Sequence, residues 1–366
     1  MEEAESHLAE RLRRRISDDG PITFAEFMDT ALYDPVEGFY SQPPIGVTRH
    51  YVTSPHVSGA FADLLVRQLV ACWESLGHVS PFTVVEAGAG DGALAGQILA
   101  SGEWSGEARD SLQYFGVDRS AGAREALRSR GIEGRASLAD LAPITGVVFA
   151  NELLDNLPFH RLANRDGNLV ELMVSVDGDE GTFVLVDGPV SPEAQLSLRR
   201  APAEGAERPV SPATEAFVAD VARVVRRGYV FLFDYGFGAG DSPQSTRSYL
   251  DQGVTTDVMS RPGGRDISTG VDFDALSDAA RERGFDVWGP ASQRDALMRL
   301  GFREWLAKLR DRQLAAEGAG EWRRAVNLFG ERSRAPMLVD EAQLGSLQLV
   351  VFGRDVARPL GVAENP

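Results

Sequence analysis

Three apolar runs end in carboxylates, a placement that can bring charge to one edge of a sheet. Glu86 closes Phe82-Thr83-Val84-Val85 and opens the turn Ala87-Gly88-Ala89-Gly90-Asp91-Gly92. Asp118 closes Tyr114-Phe115-Gly116-Val117, and Glu152 and Asp155 follow Val147-Val148-Phe149-Ala150-Asn151. Glycines where a strand hands over to a helix let the backbone turn sharply and let a ligand approach without meeting Cβ atoms. Dinucleotide enzymes hold a pyrophosphate at such a turn. Here the spacing is acid-x-Gly-x-Gly-x-Gly rather than Gly-x-Gly-x-x-Gly, which counts against a nicotinamide-dependent oxidoreductase. An acid at the strand tip suits an ammonium or sulfonium group better than a pyrophosphate. Asp118 is placed to accept both ribose hydroxyls of an adenosine. Glu86, Gly88, Gly90, Gly92 and Asp118 together predict an adenosine-bearing ligand.

The elements that position these residues alternate. Phe82–Glu86, Tyr114–Asp118, Val147–Asn151 and Tyr229–Asp234 read as buried strands, with helices over Ala93–Ala100 and Ala121–Arg130. Strands and helices in alternation predict a parallel sheet covered on both faces. Residues 1–80 read as a helical extension and covering loop: a charged helix ended by Gly20-Pro21, a second helix restarting at Ile22, and a third over Val57–Leu76. Residues 81–290 form the Rossmann-like core, interrupted at 160–210 by a hairpin and a Pro/Glu/Ser-rich loop. Residues 291–345 are a helical insertion serving as lid or dimer contact, and 346–366 carry a last core strand, returning to the sheet edge, and a tail.

The 366 residues carry a net charge of −17, which argues against a nucleic-acid partner. The single cysteine, Cys72, allows no intrachain disulfide and no cysteine-based metal cluster, and the five histidines show no metal-ligand spacing. No apolar run approaches membrane-spanning length and no signal peptide is present, so the expected compartment is the cytoplasm. One lysine against many arginines is a bias of the kind GC-rich bacterial genomes produce.

Asn151-Glu152-Leu153-Leu154-Asp155-Asn156-Leu157-Pro158 resembles the Asn-Glu-φ-φ-Asp-Ala-Leu-Pro signature of the MidA-like methyltransferases. This family includes a mitochondrial complex I assembly factor that methylates arginine. The resemblance extends from Leu32-Tyr33-Asp34-Pro35 and Gly38-Phe39-Tyr40 through Tyr51-Val52-Thr53-Ser54-Pro55 to Asp234-Tyr235-Gly236, Pro262-Gly263, Asp266-Ile267 and Val271-Asp272-Phe273. It implies a class I methyltransferase fold, S-adenosylmethionine (SAM) as cofactor, and methyl transfer as the reaction. It also implies cofactor contacts from Thr53, Ser54, Pro55 and Asn151. By position in such a fold, Asp140 would meet the adenine amino group.

An arginine acceptor is protonated at ordinary pH, so an enzyme acting on it needs carboxylates to hold the guanidinium and assist its deprotonation. Glu152 and Asp155 fit that task, or they cap and order the turn that follows. His160 would serve a less acidic acceptor as base, or sit beside its strand as a structural group. Tyr33, Phe39, Tyr40 and Tyr235 would either wall the site or belong to the core. The chain departs from the family at Arg49-His50, His56 and Gly270, all on the expected acceptor side. Three functions remain open: methylation of a protein side chain such as arginine, methylation of a small metabolite at O, N or C, and SAM binding by a non-catalytic assembly factor. The chain is expected to act as a monomer or homodimer, without a metal.

Overall fold

The computed structural model describes residues 7–41, 54–178, 181–238, 246–250 and 253–362. At its centre are seven strands: β1 Phe82–Ala87, β2 Leu112–Val117, β3 Glu133–Arg135, β4 Ile144–Asn151, β5 Val225–Asp234, β6 Asp286–Ser292 and β7 Gln348–Arg354. They lie in the order β3-β2-β1-β4-β5-β7-β6. The first five are mutually parallel. β7 runs antiparallel to both neighbours, β5 and β6. A dinucleotide fold would have its sixth strand beside the fifth. The antiparallel strand between them makes this the class I methyltransferase fold.

The strands are central because both of their faces are apolar. Phe82 and Val84, Val147 and Phe149, and Tyr229, Phe231 and Phe233 join a core shared with the helix Ala60–Ser75. The alternate residues Val85, Val148 and Ala150, and Val230 and Leu232 pack on the opposite side against helices Pro212–Val224 and Phe273–Glu282. Period-two alternation of this kind needs cover on both faces. β7 obeys the same rule: Leu349, Val350, Val351 and Phe352 are all buried. It therefore lies inside the sheet rather than at its edge, and the edge falls to β6, which is half-exposed and irregular between Trp288 and Ala291.

A second sheet is antiparallel throughout. It comprises Ile22–Thr23, His160–Arg165, Asn168–Val176, Phe183–Gly188 and Glu207–Val210. The 160–210 insertion thus folds into four strands where a hairpin and loop were expected, and the N-terminal region adds a fifth. Ile22 belongs to that strand, not to a helix. The helix starts at Phe24 because Thr23 caps it, its Oγ1 accepting from the Glu26 N–H at 3.1 Å.

Helices Phe302–Gly318 and Trp322–Arg334 pack Trp305, Leu309, Ala325 and Leu328 onto the core beneath Ala60–Ser75. Trp305 Nε1 donates to Asp63 at 2.8 Å, whereas Trp322 is exposed. Among the described residues no helix is long and apolar enough to cross a membrane.

Candidate functional site

The C-terminal ends of β1, β2 and β4 open on a cleft of about 450 Å³, a size typical of small-molecule sites. Its floor is the glycine turn. The N–H groups of Gly88 and Ala89 donate to Val117 O, at 2.8 and 3.2 Å, which ties the turn to the end of β2. Gly88 and Gly90 line the cleft with φ of 72° and 53°, conformations that favour glycine. A Cβ on Gly90 would meet nothing within 4 Å, so the backbone there faces open space. Gly92 does not line the cleft. A Cβ there would lie 2.9 Å from Leu127, so its glycine serves helix packing.

Two acids flank the turn. Glu86 accepts the Tyr114 hydroxyl at 2.7 Å, and burial pushes its carboxyl up to about 8. Asp118 accepts the N–H groups of Gly90 at 3.0 Å and Ser120 at 2.8 Å. Burial still raises it above the usual carboxylate range.

The opposite wall is the turn after β4. Glu152 stands at φ 53°, a left-handed conformation costing a non-glycine residue about 1–3 kcal/mol. Its N–H donates to Phe233 O at 2.8 Å, and its carboxylate accepts Asn151 Nδ2 at 3.0 Å and the backbone N–H of Ser54. Burial pushes this carboxyl also up to about 8. Asp155 lines the cleft beside it, and burial next to Asp234 raises it well above its ordinary value. Two buried acceptor atoms of this wall, Asn151 Oδ1 and Asp155 Oδ1, have no hydrogen-bond partner.

Several site residues were not singled out from sequence. Asp234, at the tip of β5, accepts the N–H groups of Leu153, Leu154 and Asp155 on one oxygen, at 3.2, 2.7 and 3.3 Å. It stands at a strand end like Glu86 and Asp118, so the signal that marked those two was present there as well. Asp266 accepts the Tyr40 hydroxyl at 2.9 Å and Asn156 Nδ2 at 3.0 Å. Tyr33 donates to Asn156 O at 3.0 Å, and both tyrosines line the cleft. Phe39 and Tyr235 pack against the core and do not line it.

The other expected residues divide. Pro55 and His56 line the cleft, while Ser54 is buried, its hydroxyl donating to Gln293 at 3.1 Å. Asp140 turns away. It is exposed, and its carboxylate accepts the N–H groups of Ala136 and Ser137 in a capping box. Ser137 and Leu138 line the cleft in its place. His160 also lies outside, its Nδ1 2.7 Å from Glu171 within the antiparallel sheet. Gly270 lines a separate, smaller cavity. Arg49, His50 and Thr53 fall outside the described residues.

A family model described as "Putative S-adenosyl-L-methionine-dependent methyltransferase" matches residues 64–291. The Drosophila melanogaster mitochondrial protein arginine methyltransferase NDUFAF7 homolog is 28% identical over 94% of this chain and 84% of its own length. The human protein arginine methyltransferase NDUFAF7 is 26% identical, covering 85% of this chain and 78% of its own. A crystal structure of a Burkholderia thailandensis protein bound to S-adenosyl-homocysteine superposes with a TM-score of 0.80 at 27% identity, over 97% of this chain and 93% of that one. By its matched core and its fold, this chain belongs to the S-adenosyl-L-methionine-dependent methyltransferase family that includes the MidA-like proteins.

Proposed function

We propose that the chain transfers a methyl group from SAM to the side chain of a protein, with arginine as the acceptor. The observation that carries this reading is the cleft's surplus of acceptors over donors. Glu86, Asp118, Glu152, Asp155 and Asp266 line it, and Asn151 Oδ1 and Asp155 Oδ1 are buried without partners. An unmet buried acceptor costs about 1–3 kcal/mol, so the cleft favours ligands rich in N–H groups and positive charge. SAM brings a sulfonium and an ammonium, and an arginine acceptor brings five N–H donors. The relatives named as protein arginine methyltransferases and the bound adenosyl compound in the structural relative support the same assignment.

In this reading Glu86, Gly88, Gly90, Asp118 and Asn151 hold the cofactor. Glu152 and Asp155 stand on the acceptor side, where both orient the guanidinium and Glu152 takes its proton as the nitrogen attacks. The chemistry is a direct in-line displacement at the methyl carbon. The S–CH₃ bond breaks, an N–CH₃ bond forms, and S-adenosylhomocysteine leaves.

Calorimetric titration with SAM, S-adenosylhomocysteine and NADH tests the cofactor. Binding of both adenosyl compounds without NADH is the expected result, and binding of NADH alone overturns the reading. Label transfer from methyl-tritiated SAM into arginine-containing peptides, with lysine-substituted peptides as controls, tests the acceptor.

A further inference from the structure

Asp234 is 1% exposed, and its carboxylate meets four backbone N–H groups: Leu153, Leu154 and Asp155 on Oδ2, and Tyr235 on Oδ1 at 2.8 Å. Successive N–H groups converging on one oxygen make an anion-binding concavity. Here a side chain from the neighbouring strand fills it, and the turn carrying Glu152 and Asp155 is stitched to β5. The Asp155 carboxyl is within hydrogen-bonding reach of the same group. Two carboxylates in contact and out of water do not both ionise, and four N–H donors favour the charge on Asp234. Asp155 then carries the proton of the pair and lines the cleft as a neutral group.

We propose that Asp234 is a positioning residue: it holds the Leu153–Asp155 backbone as an anion and accepts a hydrogen bond from the protonated Asp155 carboxyl, so that Asp155 presents a neutral carboxyl to a cationic ligand in the cleft. This deepens the methyl-transfer reading and rests on it for the identity of the ligand. Asp155 is then a neutral acceptor while the pair is intact. A proton arriving from the methyl acceptor goes to Glu152, which has no such partner. Besides Asp234, the titratable groups facing Asp155 are Glu152 on its own turn, Asp266 from the 266–268 strand, and Tyr33 and Tyr40 from the N-terminal segment.

The test is carboxyl ¹³C NMR of ligand-free protein labelled at aspartate Cγ, on the native chain, Asp155→Asn and Asp234→Asn, with SAM calorimetry on the native chain and Asp234→Asn. One aspartate should remain protonated at pH 7 in the native chain, and its resonance should vanish in Asp155→Asn. In Asp234→Asn the Asp155 midpoint should fall by about one unit or more, and SAM should bind about tenfold more weakly. A purely structural Asp234 would weaken SAM without moving that midpoint, and such a result overturns the proposal. Ionisation of both aspartates at pH 7 overturns it as well, and this comparison needs only the native chain and Asp155→Asn should Asp234→Asn fail to fold. If the native chain binds no SAM, the methyl-transfer reading falls, while the carboxyl titration still decides the pairing.

Discussion

Glu171 in the antiparallel sheet and Asp155 after β4 are both buried carboxyls, yet their surroundings differ. Glu171 Oε1 lies 2.7 Å from His160 Nδ1, and its Oε2 accepts the Ser191 N–H at 2.7 Å. Ser191 Oγ is a further 3.2 Å contact to that histidine nitrogen. Burial pushes the Glu171 carboxyl up, but these hydrogen bonds prevail and hold it below its ordinary value. Around Asp155 the balance is reversed. Acids crowd acids, burial dominates, and acceptor atoms stay unmet. A polar cluster that satisfies itself stabilises a fold, whereas one left incomplete in a cleft is shaped for a ligand. His160 belongs to the first kind.

The sharpest way to break this comparison is to open the satisfied cluster. Glu171→Ala should cost about 3 kcal/mol, because His160 and the Ser191 N–H lose their partner inside the sheet. Urea unfolding would read this, and calorimetry should show SAM binding unchanged in the folded fraction. A loss of SAM affinity in the folded protein would mean the two clusters are not separate. Next in size is Gly90→Val. It sets a β-branched residue at φ 53° and fills the open space above the glycine turn. SAM affinity should drop about a hundredfold or more, a loss of about 2.7 kcal/mol in binding. Normal binding would move the cofactor elsewhere.

The two clusters also oppose each other in pH dependence. Glu86 and Glu152 are raised to about 8, so in the ligand-free fold they bind protons that the unfolded chain has already released. Their contribution favours folding at low pH and is lost as pH rises from the ordinary glutamate value, about 4.3, towards 8. Glu171 has the opposite sign. Its contribution is present above the unfolded value and disappears as pH falls through its depressed folded value. Thermal denaturation of ligand-free protein should therefore show Tm falling between pH 5.5 and 8.5, by about 1–3 °C for a loss of a kilocalorie or two. SAM should raise Tm more at pH 8.5 than at pH 6. A flat profile would mean that water or counter-charge relieves the cleft acids.

What the sequence made legible follows from how local each signal is. Continuous apolar runs marked β1, β2, β4 and β5, and the glycine turn marked the site, because strand, turn and ligand contact lie within a dozen residues. β6 escaped notice because Gly289-Pro290 interrupts it and none of its residues is fully buried. Glu207–Val210 escaped because its pairing partner, His160–Arg165, lies far back along the chain. Asp140 carried a readable warning: Ser137-Leu138-Ala139-Asp140 has the Ser-x-x-acid spacing of a capping box, which commits the carboxylate to its own backbone. The fate of His160 was not readable, since Glu171 comes beside it only through the register that sets Leu162 opposite Glu171. For Asp234 the strand-end position was legible but its task was not, because the turn it holds lies about eighty residues away.

The smallest expected effect separates charge from shape in the incomplete cluster. SAM and S-adenosylhomocysteine share the adenosine and the amino acid and differ by one methyl group and the sulfonium charge. Most pH effects on the shared parts cancel in the ratio of their affinities, so a change in that ratio reports ionisation near the sulfur. With Glu152 raised to about 8, little of it is ionised at pH 6.5 and most of it at pH 8.5. The preference for SAM over S-adenosylhomocysteine should grow about three- to tenfold across that interval, which is about 0.7–1.4 kcal/mol. Glu152→Gln imitates the protonated form, so it should match the native chain at pH 6.5 and lose the rise at pH 8.5. If the rise survives in Glu152→Gln, the charge that senses the sulfonium belongs to Glu86, raised to a similar value on the other wall of the cleft.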